Sequence, residues 1–526
     1  MPTPLSDSSK LVIKFGGGIN SAASEDDISD GECSTGQNFV LDFNNKNLRP
    51  RKSISKLGTA PNDSEIRGFV NLVNANGDSS ILVQAGSTVY NWSSAIGFVS
   101  VGSVPSSAKL RGHNHHYWPL DDIVFITDLN LASPVLVWNG GTLSTMTHTL
   151  GGDFKAKYCW VDNERVRFGN VVSGTAVPHM VVTSKVSDYT TLSITNKPSS
   201  ALGTDDPYYV LTPDLRPVNG MLGFFDSVAI STEKGSMFKI SGLDSADTTI
   251  ISYYPRSFAS GLESMTFAGN DIVYGRTGRI ESLYSTQNYG DVATDDLSSM
   301  IKDQITDKSD WMSVYNSRTQ KLYFHSGSDQ EIWQYSKDVS MQEISPWVKL
   351  VTNNNFSFNP TAMAVMVDPR DGLEYTFMGD RQGNLYKIEG ELGFKDAGES
   401  DITTIWRSKL YKIDNQMIGR TFTGYISYRS GQDTTITIKI LFAGSTPQNS
   451  ECIVNLKGST GGEYFGDTVY FGGPIYFGTA FEGRFRREQF TPDGGSEEAQ
   501  IEISHTGSVD FEINEIGFNF DSKTNP

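Results

Sequence analysis

Three histidines fall within four residues, His113, His115 and His116, and Asp121 and Asp122 follow closely. Imidazoles and carboxylates are ordinary zinc ligands, but a metal site needs three or four of them converging in space. Three on one short loop or strand edge read as surface or turn histidines, and no metal is assigned. Gly16, Gly17 and Gly18 follow a strand at 11–15 that is apolar except for Lys14. A phosphate loop would close such a run with Lys-Ser/Thr or lead into a helix. Here the acidic residues 25–27 follow, so the run reads as a flexible turn and no cofactor is assigned. Aspartate and glutamate number 61, so carboxylate pairs can be drawn almost anywhere. No Ser-x-Asp-x-Gly-x-Thr-Trp repeat occurs; residues 321–333 come nearest and lack its Gly and Thr. No G-x-S-x-G nucleophile turn is present either. No catalytic residue is assigned, and the expectation is a protein that is not an enzyme. Arg484, Arg486 and Arg487 form one small basic cluster, and Arg49, Arg51 and Lys52 another. They read as solvated strand faces, or as contacts to DNA or a protein partner.

The elements that would position such residues recur along the chain. A short apolar strand, a Gly- or Asp-bearing turn and a second apolar strand begin near residues 80, 123, 165, 228, 272, 321 and 373. Gly235, Gly278 and Gly383 sit in three of these turns, where a positive φ is wanted. A further apolar strand often precedes the hairpin, as at 68–74, 155–162, 218–226, 262–269, 311–317 and 361–368. Three or four strands per unit at this spacing match the blades of a β-propeller. The unit near 165 is longer, and residues 190–217 look inserted there. A β-sandwich, or separate hairpins on a larger sheet, would also show spaced turns. The expected fold is therefore mainly β, a propeller of six to eight blades over residues 61–400.

One helix is expected within this region, near 294–306, with Leu297, Met300, Ile301 and Ile305 on one stripe. Residues 401–526 alternate instead: Ile436, Ile438, Ile440 and Phe442, then Ile501 and Ile503, then Val509, Phe511 and Ile513. Alternation of that kind buries one face of a strand. The phase slips at Asn514 and Glu515, which suggests a bulge. This is the pattern of a β-sandwich, to which residues 1–60 are assigned as a further platform segment. Residues 461–478, rich in Gly and aromatics, read as a long exposed interaction loop.

The formal net charge is −18 over 526 residues. Residues 1–60 are neutral and 401–526 carry −5, so the middle holds −13. Tight DNA binding needs cations to displace counterions, which this chain lacks in excess. An acidic passage through which DNA slides remains compatible with it. Cys33, Cys159 and Cys452 are odd in number and far apart, so no disulfide framework follows and a reducing site of folding is expected. The first ten residues lack the basic and apolar regions of a signal peptide. No stretch of about 18 apolar residues exists to span a bilayer.

The first sixty residues carry a resemblance. Gly16 to Gly18, Asp30-Gly31-Glu32, Asn38, the run Asn47-Leu48-Arg49-Pro50-Arg51 and Gly58 are similar to the opening of the tail nozzle, or tubular tail protein B, family of short-tailed bacteriophages. Residues 289–301 and 405–414 resemble further segments of the same proteins. The resemblance implies a DNA-stabilisation role in the virion tail. It implies a hexameric nozzle tube below the portal adaptor, assembled in the host bacterial cytoplasm. The chain ends would build a β-sandwich platform that docks on the adaptor and receives tail fibres or tailspikes. The propellers would form the tube wall, with the phage genome passing through an acidic lumen. The competing reading is a secreted or virion-surface propeller that binds glycans, with or without hydrolase activity, using Trp118, Trp138 or Trp333.

Overall fold

The computed structural model describes the chain apart from residues 1–7, 43–45, 116–122, 163, 225–226, 242–248, 256–257, 270, 286–291, 328, 338–343, 353–358, 390–392, 399, 413–422, 443–448, 459–484, 493–497 and 522–526. The described part is mainly β. The three histidines reach its limit: His113 and His115 end a strand, while His116, Asp121 and Asp122 lie outside it. The Gly-rich loop 461–478 also lies outside the described residues, as does Arg484.

Six four-stranded antiparallel units follow one another. The first is Ile66–Val73, Ser79–Ala85, Thr88–Ser93 and Gly97–Ser103. The second is Leu110–His115, Ile123–Asp128, Leu136–Trp138 and Leu143–Thr145. The third is Phe154–Asp162, Arg165–Ser173, Thr175–Thr183 and Tyr208–Leu211, and the fourth is Val218–Phe224, Ser227–Thr232, Ser236–Ser241 and Thr249–Pro255. The fifth is Met265–Ala268, Asp271–Arg276, Arg279–Ser285 and Val292–Asp296, and the sixth is Trp311–Asn316, Lys321–Ser326, Glu331–Ser336 and Trp347–Val351. A seventh combines Pro360–Val367, Glu374–Asp380 and Asn384–Ile388 with a strand from far upstream, Ile54–Thr59. The second strand of each unit has an apolar middle, and both its faces are covered. In Ile123–Asp128 and Ser227–Thr232 every residue is buried.

The leading strands touch in sequence, first to second and onward to the seventh, and the seventh touches the first. The series therefore closes on itself. The first two units are also bridged in parallel, Arg111 opposite Phe69. Backbones come close there: a Cβ on Gly68 would stand 2.3 Å from the Leu110 carbonyl oxygen, so only glycine fits.

Two further sheets share one apolar core. One orders Phe39–Asp42, Asn47–Pro50, Phe511–Asp521, Thr423–Ser430 and Arg486–Phe490, with Ser8–Lys14 also paired to Phe511–Asp521. The other orders Thr35–Gln37, Ser400–Arg407, Glu498–Gly507, Thr434–Phe442 and Asn449–Leu456. The alternation read from Ile436, Ile438, Ile440 and Phe442 is a buried face, each side chain contributing about 1.5–3 kcal/mol. The bulge falls as expected: Ser427 pairs with Glu515 and Tyr428 with Ile513, leaving Asn514 extra.

Three expectations need correction. The helix at 294–306 is a strand, Val292–Asp296, then a 3-10 turn, Ser299–Ile301, and a single α-turn, Lys302–Ile305. The open edge of Arg279–Ser285 takes residues 292–296 into its ladder, and ladder bonds outweigh a weak helix preference. Ile301 and Ile305 are still buried one turn apart. Residues 190–217 are no simple insertion, because Tyr208–Leu211 supplies the third unit's fourth strand. Residues 1–60 do not serve the two-sheet block alone, because Ile54–Thr59 completes the seventh unit.

His505 gives this block a pH limit. Its ring is 3% exposed, its Nε2 is hydrogen-bonded to Thr434 Oγ1 at 3.0 Å, and its Nδ1 has no hydrogen-bond partner. Burial pushes its pKa down to about 4, against a weaker pull from Asp401. An unfolded histidine takes up its proton near pH 6.5. The unfolded chain thus binds more protons between these values. The contribution is complete above about pH 6.5 and lost as pH falls toward 4. His505→Gln should flatten this loss, about 2–3 kcal/mol, in denaturant titrations at pH 7 and pH 4.5. Parallel pH curves for the two proteins would contradict the assignment.

Candidate functional site

Charged residues gather at the starts of two leading strands and at the turn ahead of a third. Glu65 and Arg67 stand at the start of Ile66–Val73, and Lys109 and Arg111 at the start of Leu110–His115. Glu263 lies on the 3-10 turn Leu262–Ser264 that leads into the fifth unit. The Lys109 ammonium and the Arg111 guanidinium both pair with the Glu263 carboxylate. Arg67 pairs with Glu65 at 2.9 Å and donates to the Ser106 carbonyl. Arg111 Nη1 donates to the carbonyls of Arg67 at 2.9 Å and Leu110 at 2.7 Å.

The centre carries three cations against two carboxylates. Burial, and after it the charge of Arg111, push Lys109 down to about 7, with Glu65 opposing and Arg67 adding to the fall. Burial alone lowers Arg111 to about 10. The arrangement can hold a carboxylate, and Glu263 of the same chain fills that role. Nothing in the sequence linked Lys109 to Glu263, because 154 residues separate them.

The sequence candidates are placed differently. Arg51 is no part of a basic surface. Its guanidinium is buried, meets Asp396 at 2.8 and 2.5 Å, and donates through Nε to Asn38 Oδ1 at 2.8 Å. Arg49 pairs with Asp510 at 3.1 Å. Arg487 is exposed, pairs with Glu515 at 3.2 Å and lies over the Tyr425 ring at 4.1 Å. Arg486 donates to the Lys457 carbonyl. Exposed pairs of this kind contribute about 0–1 kcal/mol each.

Gly16 to Gly18 open no helix. Gly18 and Ile19 donate their amides to the carbonyls of Ser345 and Trp347 at 2.7 and 2.8 Å, so the segment is a backbone seam against the sixth unit. The acidic residue beside it, Glu32, is 1% exposed and accepts from Asn20, Ser29 and the Ser345 amide. Trp138 and Trp333 are buried at 1% and offer no platform for a sugar ring, and Trp118 lies outside the described residues. Among the described residues no group of three His, Cys, Asp or Glu is placed to hold a metal ion. No helix of the described residues is long and apolar enough to cross a membrane.

No family model matches the chain, and no curated protein matches it. Among solved structures it is similar to the extracellular domain of a protein described as a hybrid two-component system from B. thetaiotaomicron. The identity is 9% and the TM-score 0.41, over 73% of this chain and 44% of that one. This chain therefore spans less than half of that chain's length.

Proposed function

We propose that the seven units are the blades of a β-propeller and that the chain is a structural wall segment of a phage tail of the nozzle kind. The observation that carries this reading is how the chain's two ends are used. The described strands of residues 8–50 and 400–521 interleave in one two-sheet block, and the strand between block and ring, Ile54–Thr59, closes the last unit. Pairing a first strand with the last three is a common way of closing a ring of sheets, and it leaves few long edges exposed. Block and ring are joined by the seam at Gly18 and by Arg51, so one chain is a stiff wall element with a platform on one side.

The partners of this reading are five further copies in a hexamer, a portal adaptor, tail fibres or tailspikes, and genomic DNA in a shared lumen. Its setting is the virion tail, after assembly in the host cytoplasm. Six chains at −18 each would repel phosphate, so DNA would move past them without adhering. The glycan-binding alternative loses two of its three tryptophans to the core. Static light scattering of the purified chain, with and without an adaptor ring, tests the proposal. A ring-bound species of six 57.8 kDa chains is expected. A monomer under both conditions that binds an oligosaccharide would favour the alternative.

A further inference from the structure

We propose that Glu263 is a latch across the mouth of the ring, tying the fifth unit to the second and closing the ring's own axial opening. The inference rests on the closed ring of seven units described above. The second and fifth units are not neighbours in that ring, so a side chain linking them must cross its middle.

The turn that carries Glu263 is held from several sides. Gly261 donates its amide to Ser264 Oγ at 3.0 Å, and Ser264 Oγ donates back to the Gly261 carbonyl at 2.6 Å. Ahead of it, the Ala259 amide donates to Ser231 Oγ at 2.9 Å, and Asn219 Nδ2 of the fourth unit donates to the Ala259 carbonyl at 2.8 Å. Ser313 of the sixth unit approaches the Glu263 carbonyl at 3.4 Å. The backbone of the turn is thus anchored to the fourth and sixth units. Its carboxylate reaches the second unit through Lys109 and Arg111, and the first through the Arg111 bond to Arg67 O. Units one, two, four, five and six meet at one short turn.

The charges explain why the latch stays shut. Lys109, Arg111 and Glu263 have side chains only 26%, 14% and 20% exposed, so water screens them poorly. Without Glu263, Arg67 and Arg111 would face only Glu65, and Lys109, already lowered to about 7, would give up its proton. Retraction of the turn would leave the buried Arg111 guanidinium beside Arg67 without its carboxylate and Lys109 without its acceptor, so opening is opposed by lost pairing. In the tail-wall reading, a shut mouth means that DNA passes between copies and not through the hole of any one ring.

Hydrogen exchange on the free, full-length chain tests the latch without requiring assembly. Glu263→Gln should speed exchange of the amides at 109–112 by about tenfold, the scale of a partly buried pair, although that segment is remote in sequence. Lys109→Met should speed exchange at 259–265 by a similar factor. The double variant should show less than the product of the two effects. Changes confined to the mutated segment, or effects that simply multiply, would overturn the latch. Because no second copy takes part, either outcome leaves the hexamer to be judged by its own mass measurement.

Discussion

Replacing Asp396 with alanine is expected to cost about 3–5 kcal/mol. Arg51 and Asp396 are buried and meet in a two-point contact, which fixes the angle as well as the distance of the pair. Asp396 Oδ1 also accepts the Ile54 amide at 2.9 Å, at the first residue of the strand that closes the seventh unit. Removing the carboxylate leaves a buried guanidinium without its counter-charge and an amide without its acceptor. The remaining Arg51 partners, Asn38 Oδ1 and the carbonyls of Lys52 and Val351, cannot neutralise it. The loss should appear first as faster hydrogen exchange in Ile54–Thr59 and Asn384–Ile388, then as a lower denaturation midpoint. Arg51→Met should cost less, since it strands a carboxylate that still accepts from Ile54. An Asp396→Ala chain within 1 kcal/mol of the parent would show that the pair is dispensable.

Gly18→Ala should be nearly as damaging, by a different cause. A Cβ at this position would stand 2.0 Å from the Trp347 carbonyl oxygen and 2.8 Å from its carbon. Those are backbone atoms at the start of the sixth unit's fourth strand, so no rotamer change relieves the contact. The seam must open, and with it the Gly18–Ser345 and Ile19–Trp347 hydrogen bonds. Overpacking alone costs about 1–3 kcal/mol, and the parted bonds add about 1 kcal/mol each. Trp347 is fully buried against Tyr335 and Trp333, with ring centroids at 5.0 and 6.4 Å. A shift of its backbone should therefore change the tryptophan fluorescence of the folded protein. Gly77→Ala is a fitting control at another glycine: nothing lies within 4 Å of its added Cβ, and only its positive φ is penalised. Equal stability for the parent and Gly18→Ala would contradict the seam.

Much of the ring was legible because its signal is local. The second and third strands of most units are adjacent apolar runs joined by a tight turn, and Gly278 and Gly383 adopt the positive φ their turns require, whereas at the 232–236 turn Lys234 takes it in place of Gly235. The alternation at 436–442 and the slip at Asn514 were legible for the same reason. What escaped depends on distant residues. The strand Leu110–His115 is polar along much of its length and was not read as a leading strand. Ile54–Thr59 takes its meaning from partners more than 300 residues away. Ile301 and Ile305 are buried one turn apart, but only residues 302–305 are α-helical, because the start of that segment found a strand partner first. Arg51 resembled a surface cation because its counter-charge, Asp396, lies 345 residues on. The mouth of the ring was illegible for the same reason, since Lys109 and Glu263 are individually unremarkable. Of the residues quoted for the resemblance, Glu32, Asn38 and Arg51 bond across from block to ring, Asn47 bonds within the block to Glu512, and Asp30 is exposed.

The most direct test of the tail-wall reading is negative-stain microscopy of the full-length chain mixed with a short-tailed phage portal-adaptor ring. Hollow six-fold particles are predicted, with the two-sheet block at the adaptor and the rings forming a wall around a central lumen. Isolated single rings that never join the adaptor, at concentrations where the chain is folded, would contradict it.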